Sequence, residues 1–196
     1  IWKSPNFDDC NTQVEGATLG ILGFGRIGKR VCRKAQGFGM NVVYYDKFRA
    51  APEVEQEFGV TYLPFDEVLQ KADCVSLHMP YLPENHHLFR AETFAKMKKG
   101  VYFINCARGK LVDEQALADA LENGTIKAAG LDVFENEPQV NEKLLRLQNV
   151  TLTPHIASLT MKARVGMCKE VLSGITGVLN GERPYNVVNP QVFGSV

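Results

Sequence analysis

Short apolar runs alternate along the chain with longer stretches whose apolar positions recur every three to four residues. The runs at 18–22, 41–45, 60–63, 74–77, 101–105 and 150–153, and one within 127–134, read as strands. They are too short for helices and end in Gly, Pro, Asn or Asp. Between them, 26–38, 65–70, 91–97 and 114–122 carry the helical period. A last helix runs from near 158 to about 179. Asp113 is the expected N-cap of the helix at 114–122, and Gly124 its stop. Strand and helix in alternation predict βαβ units, hence an α/β fold with a doubly wound parallel sheet of six or seven strands. Right-handed crossovers should then place helices on both faces.

Composition narrows the setting. Apolar residues are 45% of the 196, enough for a globular core. Twenty-two basic residues balance twenty-two acidic ones, so no broad field points to nucleic acid or an anionic membrane as a partner. No apolar run reaches membrane-spanning length, and no signal peptide is visible. The five cysteines, Cys10, Cys32, Cys74, Cys106 and Cys168, are scattered and odd in number. Free thiols, and so a cytoplasmic setting, follow most simply. No metal is expected, because no Cys/His group has ligand spacing and the adjacent His86 and His87 read as a solvated loop.

Chemistry enters at Gly23-Phe24-Gly25-Arg26-Ile27-Gly28. This G-x-G-x-x-G is weak alone, but it leaves a predicted strand and opens a predicted helix. Gly23 suits the tight turn, Gly25 the close approach of a pyrophosphate, and Gly28 the packing of helix on strand. The free N–H groups at Arg26 and Ile27 would hold the anion. Asp46 ends the second strand, eighteen residues after Gly28. A carboxylate there accepts from a ribose diol and repels a 2′-phosphate, favouring NAD over NADP, although Lys47 and Arg49 nearby soften that preference.

Arg108, Glu137 and His155 each follow a different predicted strand, on the side of an open sheet where ligands bind. Reduction of a keto acid needs a hydride, a proton for the carbonyl oxygen and a cation for the carboxylate. Arginine offers a planar fork to the carboxylate. Histidine supplies a proton near neutral pH, and a carboxylate beside it steadies the imidazolium. Taken singly, each residue has a plain structural reading as a surface cation, a turn acid or a satisfied histidine.

Five segments make the resemblance specific. They are Gly-Ile-Leu-Gly-Phe-Gly-Arg-Ile-Gly at 20–28, Ile-Asn-Cys-Ala-Arg-Gly at 104–109, Leu-Val-Asp-Glu at 111–114, Gly-Leu-Asp-Val-Phe-Glu-Asn-Glu-Pro at 130–138 and Pro-His-Ile-Ala-Ser at 154–158. From 16 to 189 the chain resembles the D-isomer-specific 2-hydroxyacid dehydrogenases, such as phosphoglycerate, glycerate, D-lactate and formate dehydrogenases. The resemblance implies a Rossmann-type NAD-binding domain over residues 1–183, with 184–196 a remnant of a second, substrate-binding lobe whose N-terminal part is not in this sequence. It implies that Arg108 holds the substrate, that His155 is the acid/base and that Glu137 is its partner. It also implies that Asp132 binds the nicotinamide carboxamide. Cys106 and Ala107 would line the nicotinamide pocket, Met79, Pro80 and Asn85 the adenosine side, and Arg108, His155 and Ala157 would also contact the cofactor. Many relatives carry a small hydroxyl residue at the positions of Met79 and Asn85. Glutamine stands at the position of Glu137 in formate dehydrogenases, which disfavours that activity. The implied activity interconverts 2-keto acids and D-2-hydroxy acids, in a homodimer. The alternative on the same fold is an NAD(H)-sensing corepressor-like interaction protein.

Overall fold

The computed structural model describes residues 13–193. Cys10 therefore lies outside the described residues. The chain divides into two compact units, Ile1–His155 and Ile156–Val196.

The first unit is built on a parallel sheet. Its strands are β1 (Thr18–Leu22), β2 (Asn41–Tyr45), β3 (Thr61–Tyr62), β4 (Cys74–Leu77), β5 (Val101–Asn105), β6 (Ile126–Leu131) and β7 (Val150–Leu152). They lie in the order β3-β2-β1-β4-β5-β6-β7, so the winding reverses beside β1. Such a switch point opens a crevice at the carboxyl ends of the strands, where an α/β sheet takes its ligand. The helices are α1 (Arg26–Gly37), α2 (Pro52–Phe58), α3 (Phe65–Lys71), α4 (Ala91–Phe94), α5 (Glu114–Glu122) and α6 (Glu142–Arg146).

Two apolar clusters hold the helices to the sheet. On one face Val68 and Leu69 of α3, Phe94 of α4 and Leu117 and Leu121 of α5 bury against Val75, Leu77, Phe103 and Leu131. Each fully buried side chain of this size stabilises the fold by about 1.5–3 kcal/mol. On the other face Cys32 and Ala35 of α1 pack on Leu19, Ile21, Val42 and Tyr44. Both faces thus carry helices, but unevenly. Cys74, Tyr102, Ile104, Ala128, Gly130 and Thr151 line an open groove of about 490 Å³ on the side of β4–β7 away from α5.

The sequence boundaries hold for most elements. The helix expected over 91–97 stops at Phe94, and the strand expected at 60–63 shrinks to an edge pair, Thr61–Tyr62. The helices α2 and α6 were not anticipated. Asp113 caps α5 as expected, accepting from the N–H groups of Gln115 and Ala116 at 3.0 Å each.

The second unit holds α7 (Met161–Leu179). It starts three residues later than expected because Thr160 is its cap, accepting from Ala163 N–H at 3.1 Å. Gly177 is the one buried residue of this helix. Among the described residues no helix is long and apolar enough to cross a membrane.

Candidate functional site

β1 delivers the chain into the glycine turn, and three contacts shape it. Gly23 has φ of +99°, and its N–H donates to the Tyr45 carbonyl at 2.8 Å. A Cβ there would lie 2.6 Å from the backbone of His78. Any other residue would be strained in dihedral and blocked in space. At Gly28 a Cβ would lie 2.2 Å from the Gly23 carbonyl oxygen, so α1 can start this close to the turn only with glycine.

The end of α1 is left open. Its N-cap, Gly25, offers no side-chain acceptor, and the first turn holds no acid. A Cβ on Gly25 would meet nothing within 4 Å. Unpaired N–H groups at a helix N-terminus, with clear space before them, suit the diphosphate of a dinucleotide. The space continues into a cavity of about 570 Å³ lined by Gly23, Gly25, Asp46, Met79, Pro80 and Asn85, among others.

Asp46 joins the turn to the cavity. Its Oδ2 accepts from Phe24 N–H at 2.7 Å and its Oδ1 from Phe48 N–H at 3.0 Å. Each oxygen keeps a second lone pair, so the carboxylate can still take a sugar hydroxyl. The two cations beside it are drawn elsewhere. Arg49 makes a bidentate pair with Glu55, at 2.8 Å for both bonds, and its guanidinium lies 5.1 Å from the Tyr62 ring centroid. Lys47 pairs with Glu84 at 3.6 Å. The exposed lysine pair is weak, whereas the forked arginine pair is held in place.

Across the cavity, Asn85 has a structural task. Its amide nitrogen donates to the Pro80 carbonyl at 2.9 Å, and its oxygen accepts from Leu82 N–H at 2.7 Å. The side chain holds its own loop in shape. His78 also lines the cavity, which sequence reasoning missed. Burial lowers its pKa, and its Nε2 lies 3.0 Å from Ser76 Oγ.

The second half of the site gathers at the ends of β5, β6 and β7. Their register pairs Asn105 with Leu131 and Leu131 with Leu152, so the three chains leave the sheet side by side. The buried Asn105 amide braces the first exit, accepting from Ala107 N–H and donating to the Arg108 carbonyl, each at 3.0 Å. Arg108 donates from Nη1 to the Ala107 carbonyl at 2.6 Å and is exposed. No carboxylate pairs with it among the described residues. Gly109 then passes so close to the Phe134–Glu135 backbone that a Cβ would lie 1.9 Å from the Phe134 carbonyl carbon. That contact sets the Arg108 turn beside the one carrying Glu137.

Glu137 and His155 meet directly, with Nδ1 2.9 Å from Oε2. The other carboxylate oxygen accepts from Phe134 N–H at 3.0 Å. The bond to His155 and then that backbone bond hold the Glu137 carboxyl below its usual pKa. An ionised carboxylate only accepts, so Nδ1 carries the hydrogen and Nε2 remains for proton exchange. His155 has φ of +53°, a left-handed conformation uncommon for a non-glycine residue. Asp132 is buried, with the Thr153 hydroxyl donating to it at 2.5 Å. Cys106 reaches solvent, but partial desolvation of its thiol, followed by the charge of Asp132, raises the thiol pKa. Ala107 is buried, and Ala157 belongs to the second unit.

Glu114 is a further residue that sequence reasoning did not single out as functional. Its buried carboxylate accepts from the N–H groups of Glu135 at 2.7 Å and Asn141 at 3.2 Å. It thereby anchors both ends of the loop that carries Glu137. A charged residue opening a helix gives no sequence signal for such a role.

Comparison with known proteins places this geometry in context. Residues 2–157 match the family model described as D-isomer specific 2-hydroxyacid dehydrogenase, NAD binding domain. The chain is 45% identical over 182 residues to a glyoxylate reductase of Thermococcus litoralis, covering 93% of this chain and 55% of that protein. It is 47% identical over 192 residues to glyoxylate/hydroxypyruvate reductase B of Klebsiella pneumoniae, covering 97% and 59%. Among solved structures, D-lactate dehydrogenase with NAD+ from Lactobacillus jensenii superposes with a TM-score of 0.86 at 35% identity, covering 94% of this chain and 59% of that one. The chain spans a little over half the length of the curated relatives it matches.

Proposed function

The chain belongs to the D-isomer specific 2-hydroxyacid dehydrogenase family, matching its NAD-binding domain, and we propose that it binds NAD(H) for an enzyme interconverting 2-keto acids and D-2-hydroxy acids. On this reading residues 1–183 form the cofactor lobe and 184–196 begin the return to a substrate lobe. The intact protein would be a cytoplasmic homodimer.

The glycine turn, the open start of α1 and the carboxylate of Asp46 fit a dinucleotide with an unphosphorylated adenosine ribose. The capture of Arg49 by Glu55 supports NAD over NADP, since it removes the fixed cation that a 2′-phosphate would seek. Met79, Pro80 and Asn85 would shape the adenosine side. Cys106, Ala107 and Asp132 would border the nicotinamide.

When bound, the nicotinamide supplies or accepts the hydride. The protein's share is orientation, charge and the proton. Arg108, exposed and without a carboxylate partner among the described residues, would grip the substrate carboxylate with its fork. His155 would deliver a proton from Nε2 to the carbonyl oxygen during reduction, and take it back in the reverse direction. Glu137 would keep Nδ1–H engaged and stabilise the imidazolium. The observation that carries the reading is the 2.9 Å contact of His155 with Glu137, which leaves Nε2 for exchange.

The test has two parts. Calorimetry with NADH on the 196-residue chain should give saturable binding, and no heat at high protein concentration would refute the cofactor role. In the intact protein, a keto-acid panel with NADH should show turnover. His155→Ala should lower kcat about a hundred- to ten-thousand-fold with little change in NADH affinity. Equal losses in both would make His155 structural.

A further inference from the structure

Besides Arg108, Glu137 and His155, the described residues hold one group of three side chains able to ligate a metal: His86, His87 and Glu135. Their ligand atoms lie within 4.8 Å of one another. Neighbours in sequence rarely converge on one ion, which is why the sequence alone reads His86-His87 as a solvated loop. The backbone here removes that premise. His87 has φ of +49°, and the two imidazoles stack with centroids 3.9 Å apart and planes 21° from parallel. His87 N–H donates to the Lys110 carbonyl at 3.0 Å, which fixes the turn. His87 Nε2 lies 2.7 Å from Glu135 Oε1. Glu135 is held in turn through its own N–H, which donates to the buried Glu114 carboxylate.

We propose that His86, His87 and Glu135 form a binding site for a divalent transition cation of the zinc, nickel or cobalt class, with water completing the coordination. Two imidazoles and one carboxylate are a donor set that these ions favour, and one that calcium and magnesium do not. Bonds of about 2.0–2.2 Å bring donor atoms closer together than the present spread, so the stack must open slightly. The exposed His86 can turn, whereas His87 and Glu135 are already in register. The ion would replace the direct contact between His87 Nε2 and Glu135 Oε1, with the neutral imidazole carrying its hydrogen on Nδ1 so that Nε2 can ligate. Lys110 lies 5.9 Å from the centroid of the Tyr81 ring, which meets the His86 ring edge-on, and its long side chain can swing away from an incoming cation. Once bound, the ion would tie the loop of Pro83–Asn85, part of the cofactor cavity wall, to the turn that begins at Glu135.

The experiment is calorimetry of the full 196-residue chain with Zn2+ and Ni2+, and visible absorption with Co2+. One equivalent should bind, with Co2+ bands of nitrogen and oxygen ligation. His86→Ala, an exposed position, and Glu135→Gln, which keeps the backbone bond to Glu114, should each weaken binding at least tenfold. His155→Ala should leave it unchanged. Absence of binding at millimolar metal would overturn the proposal. So would binding that His155→Ala abolishes and His86→Ala spares.

Discussion

At the scale of single residues, the glycines of the turn separate folding from binding. Gly25 has φ of −76° and open space where a Cβ would sit, so Gly25→Ala meets no steric or dihedral cost. Its stability should stay within about 0.5 kcal/mol of the parent. The added methyl would occupy the room kept for the diphosphate, and NADH affinity should drop at least tenfold, about 1.4 kcal/mol. Gly28→Ala is the converse. Its methyl would lie 2.2 Å from the Gly23 carbonyl oxygen, and relief requires moving α1 off β1. Overpacking of this kind costs about 1–3 kcal/mol. Urea unfolding and NADH titration on the two variants check the contrast. A Gly25→Ala chain that binds NADH normally would place the diphosphate elsewhere. The sequence pattern names all three glycines, and the fold separates them: Gly23 spares the His78 backbone, Gly28 spares the Gly23 carbonyl, and Gly25 faces open space.

Among the elements, what the sequence revealed depended on whether an element has a buried stripe. Strands β1, β2, β4 and β5 follow from continuous apolar runs, and α5 from its period and its Asp113 cap. By contrast α2, Pro-Glu-Val-Glu-Gln-Glu-Phe, buries no residue fully, and only its N-terminal proline and the left-handed Gly59 after it mark a helix. Val54 and Phe58 pack half-buried against the α1-side cluster, and a polar anchor adds to them. Glu55 accepts from the Tyr44 hydroxyl at 2.6 Å and from Arg49 twice, which ties α2 to the end of β2. Those bonds, Arg49 first and Tyr44 next, bring the Glu55 pKa down from 4.5 to about 2. The sign follows. A depressed folded-state pKa stabilises the fold above the unfolded value near 4.5, and that share is lost as pH falls toward 2. Glu55→Gln should flatten the decline of Tm between those limits, and an unchanged slope would remove Glu55 from the acid response. Arg108 and His155 were legible because their types and positions at strand ends were suggestive. Glu114 was not, since its partners are backbone N–H groups 21 and 27 residues away. Glu114→Ala would strand both donors. Hydrogen bonds to charged groups contribute about 1.5–3 kcal/mol, so a loss of that order is expected in urea unfolding, with faster hydrogen exchange at Glu135 and Asn141.

At the scale of the whole molecule, the sheet of the first unit is composed for two covered faces, and that unit's own helices cover them unevenly. Val-Tyr-Phe-Ile-Asn in β5 is apolar on both sides of its pleat, as strands of a doubly covered parallel sheet are. Val101 and Phe103 are buried under α4 and α5, while Ile104 points the other way and is 36% exposed. With Tyr102, Ala128 and Gly130 it lines the open groove. In the second unit, Val165, Val171, Leu172 and Ile175 of α7 are each more than 40% exposed. Exposed apolar surface on either unit drives association in water. The isolated chain is therefore expected to self-associate as its concentration rises, and to bind a hydrophobic dye while folded. Ile104→Lys places a charge in the groove without disturbing the buried face of β5. It should shift sedimentation toward the monomer and reduce dye binding, at a thermal midpoint close to the parent's. Self-association untouched by this substitution would locate the sticky surface elsewhere. A monomer at every concentration would mean that the exposed faces on this chain are too small or too divided to join two copies.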